Sequence, residues 1–517
     1  MLLGRYIERN ARCFPGHPAI LFEGRAISHA QFAARVHRFA NALHERGVLP
    51  GERIAVLAQN CPEYCEAYAA AELAGFIVTG LNYRLSATEQ AAILRDCEPG
   101  VLLFEAHYAP RAAELRAALP PGVRLICIGA GPQWAERYDE ILASAPETAP
   151  RTRPAAGDTC YLIYTSGTTG GAKGVMLSQG GLAEMARAVS AAECADPSDR
   201  MLIVMPFYHI GGRIQQLAWT LVGATIVLHR AFNASEVLRS IEQHKVTCAL
   251  LAPVMIQNLL EHGLEKHDVS SLRTIVYASA PMSVVLLKRA IARFGNIFMQ
   301  VYGMTEHGIA TVLYKHQHRV DGSPKDLARL ASAGVPFVEA EIRVVRADGS
   351  DCAIGETGEI WMRSATLMQG YWRNPAATAE AISGGWMRSG DLGYFDDEAF
   401  LFIVDRKKDM IVSGGENIYS REVEEALLAH PAVAEAAVIG VPDEKWGESV
   451  MAFVALRSGA AATEAELIEH CRGRIAGYKK PRSVKLLDAL PRISSTNKID
   501  KKKLRDPYWA GRERRNV

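Results

Sequence analysis

The alternation of short apolar runs with helical stretches constrains the fold of this chain most. Residues 28–46 carry apolar side chains at helical spacing, and Ser28 with Gln31 makes a capping-box pattern at the start. A strand, a helix and a second strand are predicted next, at 53–58, 62–74 and 76–78. Asn60 is the expected cap of that second helix. Strand–helix–strand order is typical of parallel βαβ units and predicts an α/β fold.

The same pattern continues and then changes. Further strands are predicted at 102–104, 125–128, 202–205, 225–228, 248–251 and 274–277. From about residue 340 alternating strands and turns predict a small β-barrel-like part. A compact α+β pattern follows a charged interruption at 405–408. We expect a large N-terminal domain with mostly parallel sheets at 1–404, a boundary at 405–408 and a small C-terminal domain at 409–517.

A stretch rich in threonine and glycine follows the apolar run at 160–163. It reads Tyr-Thr-Ser-Gly-Thr-Thr-Gly-Gly-Ala-Lys-Gly over residues 164–174. Glycines bring backbone N–H groups close to a ligand, and the hydroxyls and Lys173 suit a polyanion such as a triphosphate. It does not match the Walker A spacing, because counting from Gly167 places Ala172 and Gly174 where glycine and Ser or Thr are needed. A plain loop between strands is the alternative.

Five further stretches carry polar residues that suit chemistry. They lie at 206–212, 302–306, 386–391, 405–416 and 491–499. Taken alone, each also has a structural explanation: a core histidine, a strand-end turn, an Asx turn, a charged surface segment and a solvated lysine. The basic residues after 500 are interpreted as a solvated terminus, or else as a contact for a ligand phosphate or for a membrane surface.

Composition excludes several classes of protein. The net charge of +1 gives no sign of nucleic-acid binding. No apolar run reaches about 18 residues, so we expect no transmembrane helix, and the charged N-terminus does not resemble a secretory signal. Scattered cysteines in apolar runs are typical of reduced thiols. We therefore expect a cytoplasmic protein.

The order of these stretches resembles the adenylate-forming superfamily, and within it the acyl-CoA synthetases. The motifs are Thr-Ser-Gly-Thr-Thr-Gly, Tyr-Gly-Met-Thr-Glu, Ser-Gly-Asp, Asp-Arg-x-Lys-Asp with Ser-Gly-Gly-Glu-Asn, and a late Pro-Arg followed by lysine. The resemblance covers nearly the whole chain. One departure is visible, since the family usually has proline where this chain has Ala172.

The resemblance implies an ATP-dependent acid–CoA ligase. A carboxylate would attack the α-phosphate of ATP to give acyl-AMP and pyrophosphate, and the thiol of CoA would then displace AMP. ATP, Mg²⁺ and CoA are the implied cofactors and co-substrates. A carboxylic acid is the implied partner, with nucleic acid excluded and with a homodimer and peripheral membrane contact left open.

The resemblance also implies roles for single residues. Catalysis would fall to Lys498, which bridges carboxylate and α-phosphate, to Glu306, which carries Mg²⁺, to Thr305 on the α-phosphate, and to His209, which moves as the thiol approaches. Phosphate would be held by Thr165, Ser166, Gly167, Thr168, Thr169, Gly170 and Lys173. Adenine would be flanked by Ser279, Ala280, Tyr302 and Gly303, and ribose held by Asp391 and Arg406. The C-terminal domain at 409–517 would be mobile about a hinge at 405–408, which is centred on Lys408. Gly414, Gly415 and Glu416 would meet the pantetheine.

The acyl pocket is the least readable part. It is expected to be lined by Tyr208, His209, Gly212, Arg213, Gln216, Ala278, Val301, Gly303, Met304 and His307. For Arg213 we favour a surface or supporting position over binding of a distal carboxylate. A medium or long fatty acid-like substrate is preferred. The alternatives are an aryl or short-chain acid, transfer to a carrier protein instead of CoA, a luciferase-type oxidative enzyme and a non-catalytic nucleotide-binding protein.

Overall fold

The structure is a computed structural model that describes residues 2–165, 172–493 and 498–510. Across these ranges the α-helices are α1 Gly4–Cys13, α2 His29–Glu45, α3 Pro62–Ala74, α4 Ala87–Cys97, α5 Ala109–Leu115, α6 Tyr138–Ser144, α7 Gln179–Ala192, α8 Ile210–Val222, α9 Ala234–His244, α10 Pro253–Glu261, α11 Val284–Phe294, α12 Pro324–Arg329, α13 Pro375–Ala381, α14 Ser420–Leu428, α15 Glu464–Arg472 and α16 Lys501–Trp509.

The strands up to the β-barrel-like part are β1 Pro18–Phe22, β2 Arg25–Ser28, β3 Arg53–Leu57, β4 Ile77–Gly80, β5 Val101–Glu105, β6 Arg124–Ile128, β7 Glu136–Arg137, β8 Thr159–Thr165, β9 Lys173–Ser178, β10 Arg200–Ile203, β11 Thr225–Leu228, β12 Cys248–Leu251, β13 Thr274–Tyr277, β14 Phe298–Met304, β15 Gly308–Leu313 and β16 Val335–Pro336. Those that follow are β17 Ala340–Val345, β18 Gly358–Ser364, β19 Gly370–Tyr371, β20 Ile382–Ser383, β21 Trp386–Phe395, β22 Leu401–Arg406, β23 Ile411–Ser413, β24 Glu416–Ile418, β25 Val433–Asp443, β26 Gly447–Leu456 and β27 Ser483–Leu486.

Helix caps follow the sequence at α2 and differ at α3. Ser28 and Gln31 form the predicted capping box of α2. The predicted helix at 62–74 is confirmed as α3, but its cap is Cys61, so the expectation for Asn60 is wrong. The Asn60 side chain instead donates to the carbonyls of Met205 and His229, at 3.0 and 3.2 Å. A long-range bond therefore takes the side chain that the local pattern assigned to the helix end.

Two sheets form the frame of the N-terminal part. One has nine strands in the order β16-β15-β14-β13-β12-β10-β11-β1-β2, and its strands β11, β10, β12, β13 and β14 run parallel to one another. The other has eight, in the order β19-β9-β8-β4-β3-β5-β6-β7, with β4, β3, β5, β6 and β7 parallel. The largest apolar core contains side chains of both sheets and of α2, α3, α7 and α8. The predicted parallel α/β architecture is confirmed.

The later strands form two more sheets. One joins β17-β18-β21-β20, with β22 antiparallel to β21, and is the predicted β-barrel-like part. The other joins β24-β23-β26-β25, with β27 on β26, and belongs to the C-terminal part. That C-terminal sheet carries α14 and α15 on one apolar cluster and α16 on another. The expected α+β pattern is confirmed there.

The contacts divide the chain into two compact units. The first comprises the residues up to Ile342 together with Met362–Met387, and the second comprises Arg343–Trp361 and the residues from Arg388 onward. The predicted hinge at 405–408 lies inside the second unit and stays a prediction. Among the described helices, none is both long and apolar enough to cross a membrane.

Candidate active site

The phosphate stretch is carried by a β-hairpin. Thr165 ends β8 and Lys173 begins β9, and the two are cross-strand partners. Directly paired residues of an antiparallel ladder lie about 5 Å apart. The predicted phosphate ligands Ser166, Gly167, Thr168, Thr169 and Gly170 lie outside the described residues. The paired strand ends nevertheless present a hydroxyl and a cation side by side, where β8 leads into β9.

Lys173 and Glu306 are linked through an aromatic ring that the sequence did not reveal. The Lys173 ammonium lies 5.0 Å from the centre of the Tyr371 ring. The hydroxyl of Tyr371 donates to Glu306 Oε1 at 3.0 Å. Burial raises the pKa of Tyr371, and the neighbouring Glu306 carboxylate raises it further, so the hydroxyl stays protonated and able to donate. Tyr371 reaches this place because β19 pairs with β9, opposite Val175.

A tight hairpin turn presents Thr305 and Glu306. β14 and β15 are joined at Met304 and Gly308, which are register partners. A Cβ on Gly303 would lie 2.0 Å from the Gly308 carbonyl oxygen, so no larger residue fits there. The Glu306 carbonyl accepts from the Met368 N–H at 2.8 Å and fixes the turn from the other side. Thr305 and Glu306 are both half-buried.

The geometry of the turn allows a test of whether Mg²⁺ fits. Mg²⁺ prefers oxygen ligands and is usually bound by one or two carboxylates together with water and substrate phosphates. Glu306 offers one carboxylate, and Thr305 precedes it in the same turn. Tyr371 connects Glu306 to the Lys173 ammonium, which can attract a phosphate. The donor set fits a metal ion that the nucleotide helps to hold.

The segment predicted at the adenine has strained backbone. Ser279 has φ +74°, in the left-handed region that residues other than glycine seldom adopt, and it is exposed together with Ala280. Such strain concentrates at ligand sites. Since β13 and β14 are parallel neighbours, the segment after Tyr277 comes out beside the end of β14, which carries Tyr302 and Gly303. The structure brings these four predicted residues to one edge of the sheet.

Asp391 and Arg406 are neighbours in the second unit. They are register partners of β21 and β22, and Arg406 Nε lies 3.4 Å from Asp391 Oδ1. Asp391 is 8% exposed. Lys408 follows two residues after Arg406, and burial lowers its pKa. A carboxylate held by an arginine at a strand end is suited to accept two ribose hydroxyls.

Lys498 projects from a short hairpin near the C-terminus of the described chain. Its carbonyl accepts from the Ile493 N–H at 2.8 Å, and the Asp500 N–H donates to the Pro491 carbonyl at 2.8 Å. Lys498 is exposed, yet the surrounding protein atoms weaken its hydration and lower its pKa, and Arg406 lowers the pKa further. The preceding Ser494, Ser495, Thr496 and Asn497 lie outside the described residues.

The Gly414–Gly415 turn has a backbone that favours glycine at both positions. Both glycines have left-handed backbone, with φ +62° and +87°. A Cβ on Gly414 would lie 2.6 Å from the Trp446 ring. Glu416 begins β24 and is exposed. The turn therefore leaves backbone close to the surface, where a ligand can approach.

On the acyl side, His209 precedes α8 and lies against Tyr208, with ring centres 4.5 Å apart. Asn60 fixes the segment before them, because its Oδ1 accepts from the Phe207 N–H at 2.9 Å. The Tyr68 hydroxyl also donates to the Phe207 carbonyl, at 2.7 Å. Sequence reasoning missed this support for His209, since Asn60 stands almost 150 positions earlier and resembles a helix cap.

Arg213 is buried and paired, so of its two expected positions the surface one is wrong and the supporting one stays a prediction. It is 2% exposed. Its guanidinium binds the carboxylate of Glu72 and the hydroxyl of Tyr161, and lies 4.5 Å from the centre of the Tyr68 ring. Glu72 is also buried, at 3% exposure. No motif pointed to Glu72, and its helical position four residues after Tyr68 was the one available signal.

The basic residues after 500 also differ from the expectation. Lys501 and Arg505 are mostly buried and ion-paired within the second unit, so their interpretation as a solvated terminus is wrong. Lys502 is exposed, as expected. Arg512, Arg514 and Arg515 lie outside the described residues.

Comparisons with known proteins show the family to which this chain belongs. The model of the AMP-binding enzyme family matches residues 7–372, and that of the AMP-binding enzyme C-terminal domain matches residues 422–497. A feruloyl-CoA synthase of Amycolatopsis is 38% identical over 95% of this chain and 96% of its own length. An indoleacetate–CoA ligase of Aromatoleum aromaticum is also 38% identical, over 96% of both chains.

The solved structures include the o-succinylbenzoate CoA synthetase of Bacillus subtilis in complex with its acyl-adenylate intermediate. It is 33% identical, covers 98% of each chain and superimposes with a TM-score of 0.87. The predicted superfamily, fold class and enzyme class are confirmed. The chain belongs to the AMP-binding enzymes of the adenylate-forming superfamily and is an AMP-forming acid–CoA ligase that uses ATP and CoA.

Proposed function

We propose that the acid is a monocarboxylic acid with an apolar body, adenylated at its carboxylate and then transferred to CoA. The observation that carries this proposal is the Glu72–Arg213 pair. A distal carboxylate would need an unneutralised cation, and the charge of Arg213 is already balanced by Glu72. Partly buried apolar side chains, among them Ala278, Val301 and Met304, pack against the same core.

The first step brings two anions together, so positioning and charge neutralisation dominate it. Thr165 and Lys173, with the glycine-rich segment between them, bind the β- and γ-phosphates. Glu306 holds Mg²⁺, which supplies positive charge to the phosphates. Thr305 binds an α-phosphate oxygen. The contacts of Tyr371 support this assignment, because its ring lies beside the Lys173 ammonium and its hydroxyl donates to the Glu306 carboxylate.

The nucleoside is held by the remaining predicted residues. Ser279, Ala280, Tyr302 and Gly303 flank the adenine, and their common sheet edge supports this role. Asp391 accepts the ribose hydroxyls, and Arg406 orients its carboxylate.

Lys498 is the cation of the adenylation step, where it bridges the acid carboxylate and the α-phosphate. Its charge counts most as negative charge develops at the α-phosphate in the transition state. In the second step the C-terminal part turns about Lys408, which withdraws Lys498 and presents Gly414, Gly415 and Glu416 to the pantetheine. A hinge of charged residues changes its backbone angles without exposing core. His209 moves as the thiol approaches.

The body of the acid is either a medium to long fatty chain or an aryl group. A fatty chain suits the small residues on the acyl side. The aryl alternative is favoured by the two relatives at 38% identity, whose names give feruloyl and indoleacetate substrates. A relative in Streptomyces coeruleorubidus named as a fatty acid–acyl-carrier-protein ligase supports the carrier-protein alternative. Cytoplasmic location, homodimer formation and peripheral membrane contact stay predictions.

One assay separates these readings. Pyrophosphate release is measured with fatty, aryl and dicarboxylic acids, with and without CoA, and the products are identified by mass spectrometry. We expect release with an apolar monocarboxylic acid and formation of its CoA thioester. Release that favours a dicarboxylic acid would overturn the substrate proposal. Acyl-AMP without any thioester would favour the carrier-protein alternative.

The role of Lys498 is tested by separating the two half-reactions. In the Lys498→Ala variant we expect acyl-AMP formation to fall by about a hundred- to a thousandfold. Thioester formation from supplied acyl-AMP is expected to stay near that of the parent enzyme. Equal loss of both half-reactions would contradict this division of labour.

A further inference from the structure

Two basic residues of α16 are fastened to the segment around Lys408. Lys501 Nζ lies 2.7 Å from Glu424 Oε1 and donates to Ser420 Oγ at 2.7 Å. Ser420 in turn donates through its backbone N–H and its hydroxyl to Asp405, which lies three residues before Lys408. Burial opposes the charge of Lys501, but Glu424 and Asp405 outweigh it and raise the lysine pKa. The contact is therefore a charged anchor on the N-terminal side of the hinge segment.

Arg505 makes the matching contact on the other side. Its Nη1 lies 3.3 Å from Asp409 Oδ1 and donates to the Lys408 carbonyl at 3.3 Å. The Arg505 and Asp409 side chains are 18% and 13% exposed. One turn of α16 separates Lys501 from Arg505, so a single helix holds the chain before and after Lys408.

The same helix continues the hairpin that carries Lys498. Asp500 caps α16 by accepting from the Lys503 N–H at 3.0 Å, and its own N–H is bonded to the Pro491 carbonyl. Ile499 pairs with Arg492 in an isolated bridge. Leu504 and Ile499 both pack in the apolar cluster beside α16. Lys498 therefore lies three residues before Lys501, and the backbone hydrogen bonds of Lys498 and Asp500 hold the segment that connects them.

We propose that Lys501 and Arg505 are positioning residues for Lys498, which fasten α16 to both flanks of the Lys408 hinge. This inference rests on the proposed adenylation role of Lys498. Because a turn at Lys408 would separate the two flanks, this double contact holds Lys498 in the arrangement of the adenylation step. A displacement of about 1 Å at a reacting group is enough to cost roughly a hundredfold in rate, so the anchor matters for catalysis although it touches no substrate.

The test compares Lys501→Met with Lys502→Met. Both replace a lysine of α16 with a residue of similar length, but the Lys502 side chain is 63% exposed and pairs with the exposed Asp506. We expect Lys501→Met to lower acid-dependent pyrophosphate release about 10- to 100-fold. Thioester formation from supplied acyl-AMP is expected to change less than about threefold, and Lys502→Met to leave both half-reactions unchanged.

Conservative variants separate positioning from general folding. Lys501→Arg retains the charge and is expected to recover most of the adenylation rate, and Arg505→Gln is expected to act like a weaker Lys501→Met. If Lys501→Met lowers both half-reactions equally, or neither of them, the proposal is overturned.

Amide hydrogen exchange tests, independently of catalysis, whether Lys501 holds the hairpin of Lys498 in place. In Lys501→Met we expect faster exchange of the Ile493 and Asp500 amides, which the hairpin protects in the parent protein. Unchanged protection would overturn the proposal. If no acid supports pyrophosphate release in the parent protein, the proposed substrate class fails, while the exchange rates still confirm or refute the anchor.

Discussion

Two charged regions of the first unit handle their ions in opposite ways. On the proposed phosphate side, Lys173 and Glu306 are half-buried and both contact the Tyr371 side chain. On the proposed acyl side, Arg213 and Glu72 are in direct contact and nearly fully buried. Under the proposed function, the first arrangement keeps charge available for a polyanion. The second cancels its charge internally and leaves the apolar part of the acid an uncharged surface.

Breaking the buried pair has the largest expected effect. Arg213→Met leaves the Glu72 carboxylate in the interior with the Tyr161 hydroxyl but without its cation. Loss of one partner of a buried pair typically costs about 3–5 kcal/mol of unfolding free energy. Urea denaturation of the whole protein measures this loss of unfolding free energy, in the transition of the first unit. Arg213→Met combined with Glu72→Leu is expected to recover most of the loss, and a single variant as stable as the parent would contradict the pairing.

Removing charge from the phosphate side is expected to affect turnover and leave stability unchanged. Glu306→Gln keeps an oxygen that accepts from Tyr371, but loses the negative charge that Mg²⁺ needs. Turnover should fall by about a hundred- to a thousandfold, and the Mg²⁺ requirement should move to higher concentration. Glu184→Gln, at an exposed surface pair, is the control. An unaltered Mg²⁺ titration would refute the assignment of Glu306.

Glu193 is a buried carboxyl without an arginine partner among the hydrogen bonds of the described residues, and neutral groups donate to it, so it extends the comparison. Glu193 accepts from Gln215 and Trp219, and burial raises its pKa from 4.5 to about 7. The folded protein therefore holds this proton more tightly than the unfolded chain, and its contribution to stability falls as pH rises from 4.5 through about 7.

Glu193→Gln is expected to remove that fall, with a difference of roughly 1–3 kcal/mol between low and neutral pH. Denaturation of parent and variant across this pH range measures it. Parallel stability curves would show that the buried carboxyl titrates normally.

The smallest expected effect separates the two functions of Tyr371. Tyr371→Phe removes the hydroxyl bond to Glu306 but keeps the ring beside Lys173, and should lower turnover less than about tenfold, in line with one hydrogen bond. Tyr371→Leu removes the ring as well and should also raise the KM for ATP. If the two variants behave alike, the contact between Lys173 and the ring contributes nothing.

The strand-end positions of Lys173 and Glu306 could be predicted because both residues stand in short contiguous motifs. Lys173 and Glu306 belong to such stretches, and local backbone rules place them at strand ends. Glu72 and Tyr371 could not be found in this way, because each reaches the site through tertiary packing of a helix or strand far away in sequence. Asn60 was misassigned for the same reason, since a local cap and a long-range anchor need the same amide.

The parallel strands were predictable to within a few residues, since burial on both faces produces continuous apolar runs. The strand expected at 202–205 is Arg200–Ile203, for example. The buried lysine of α16 was not predictable. A run of three lysines has no periodicity that distinguishes the one facing the core, and only the position of Glu424 decides it.

The close backbone approach at Gly303 has a practical consequence for redesign. Because the β14–β15 turn is fixed by main-chain contacts, the orientation of Glu306 does not depend on the side chain two positions before Gly303. Under the proposed function, Val301 can thus be exchanged to reshape the acyl pocket while the carboxylate proposed to hold Mg²⁺ keeps its place, which makes it the first position to vary for a changed substrate range.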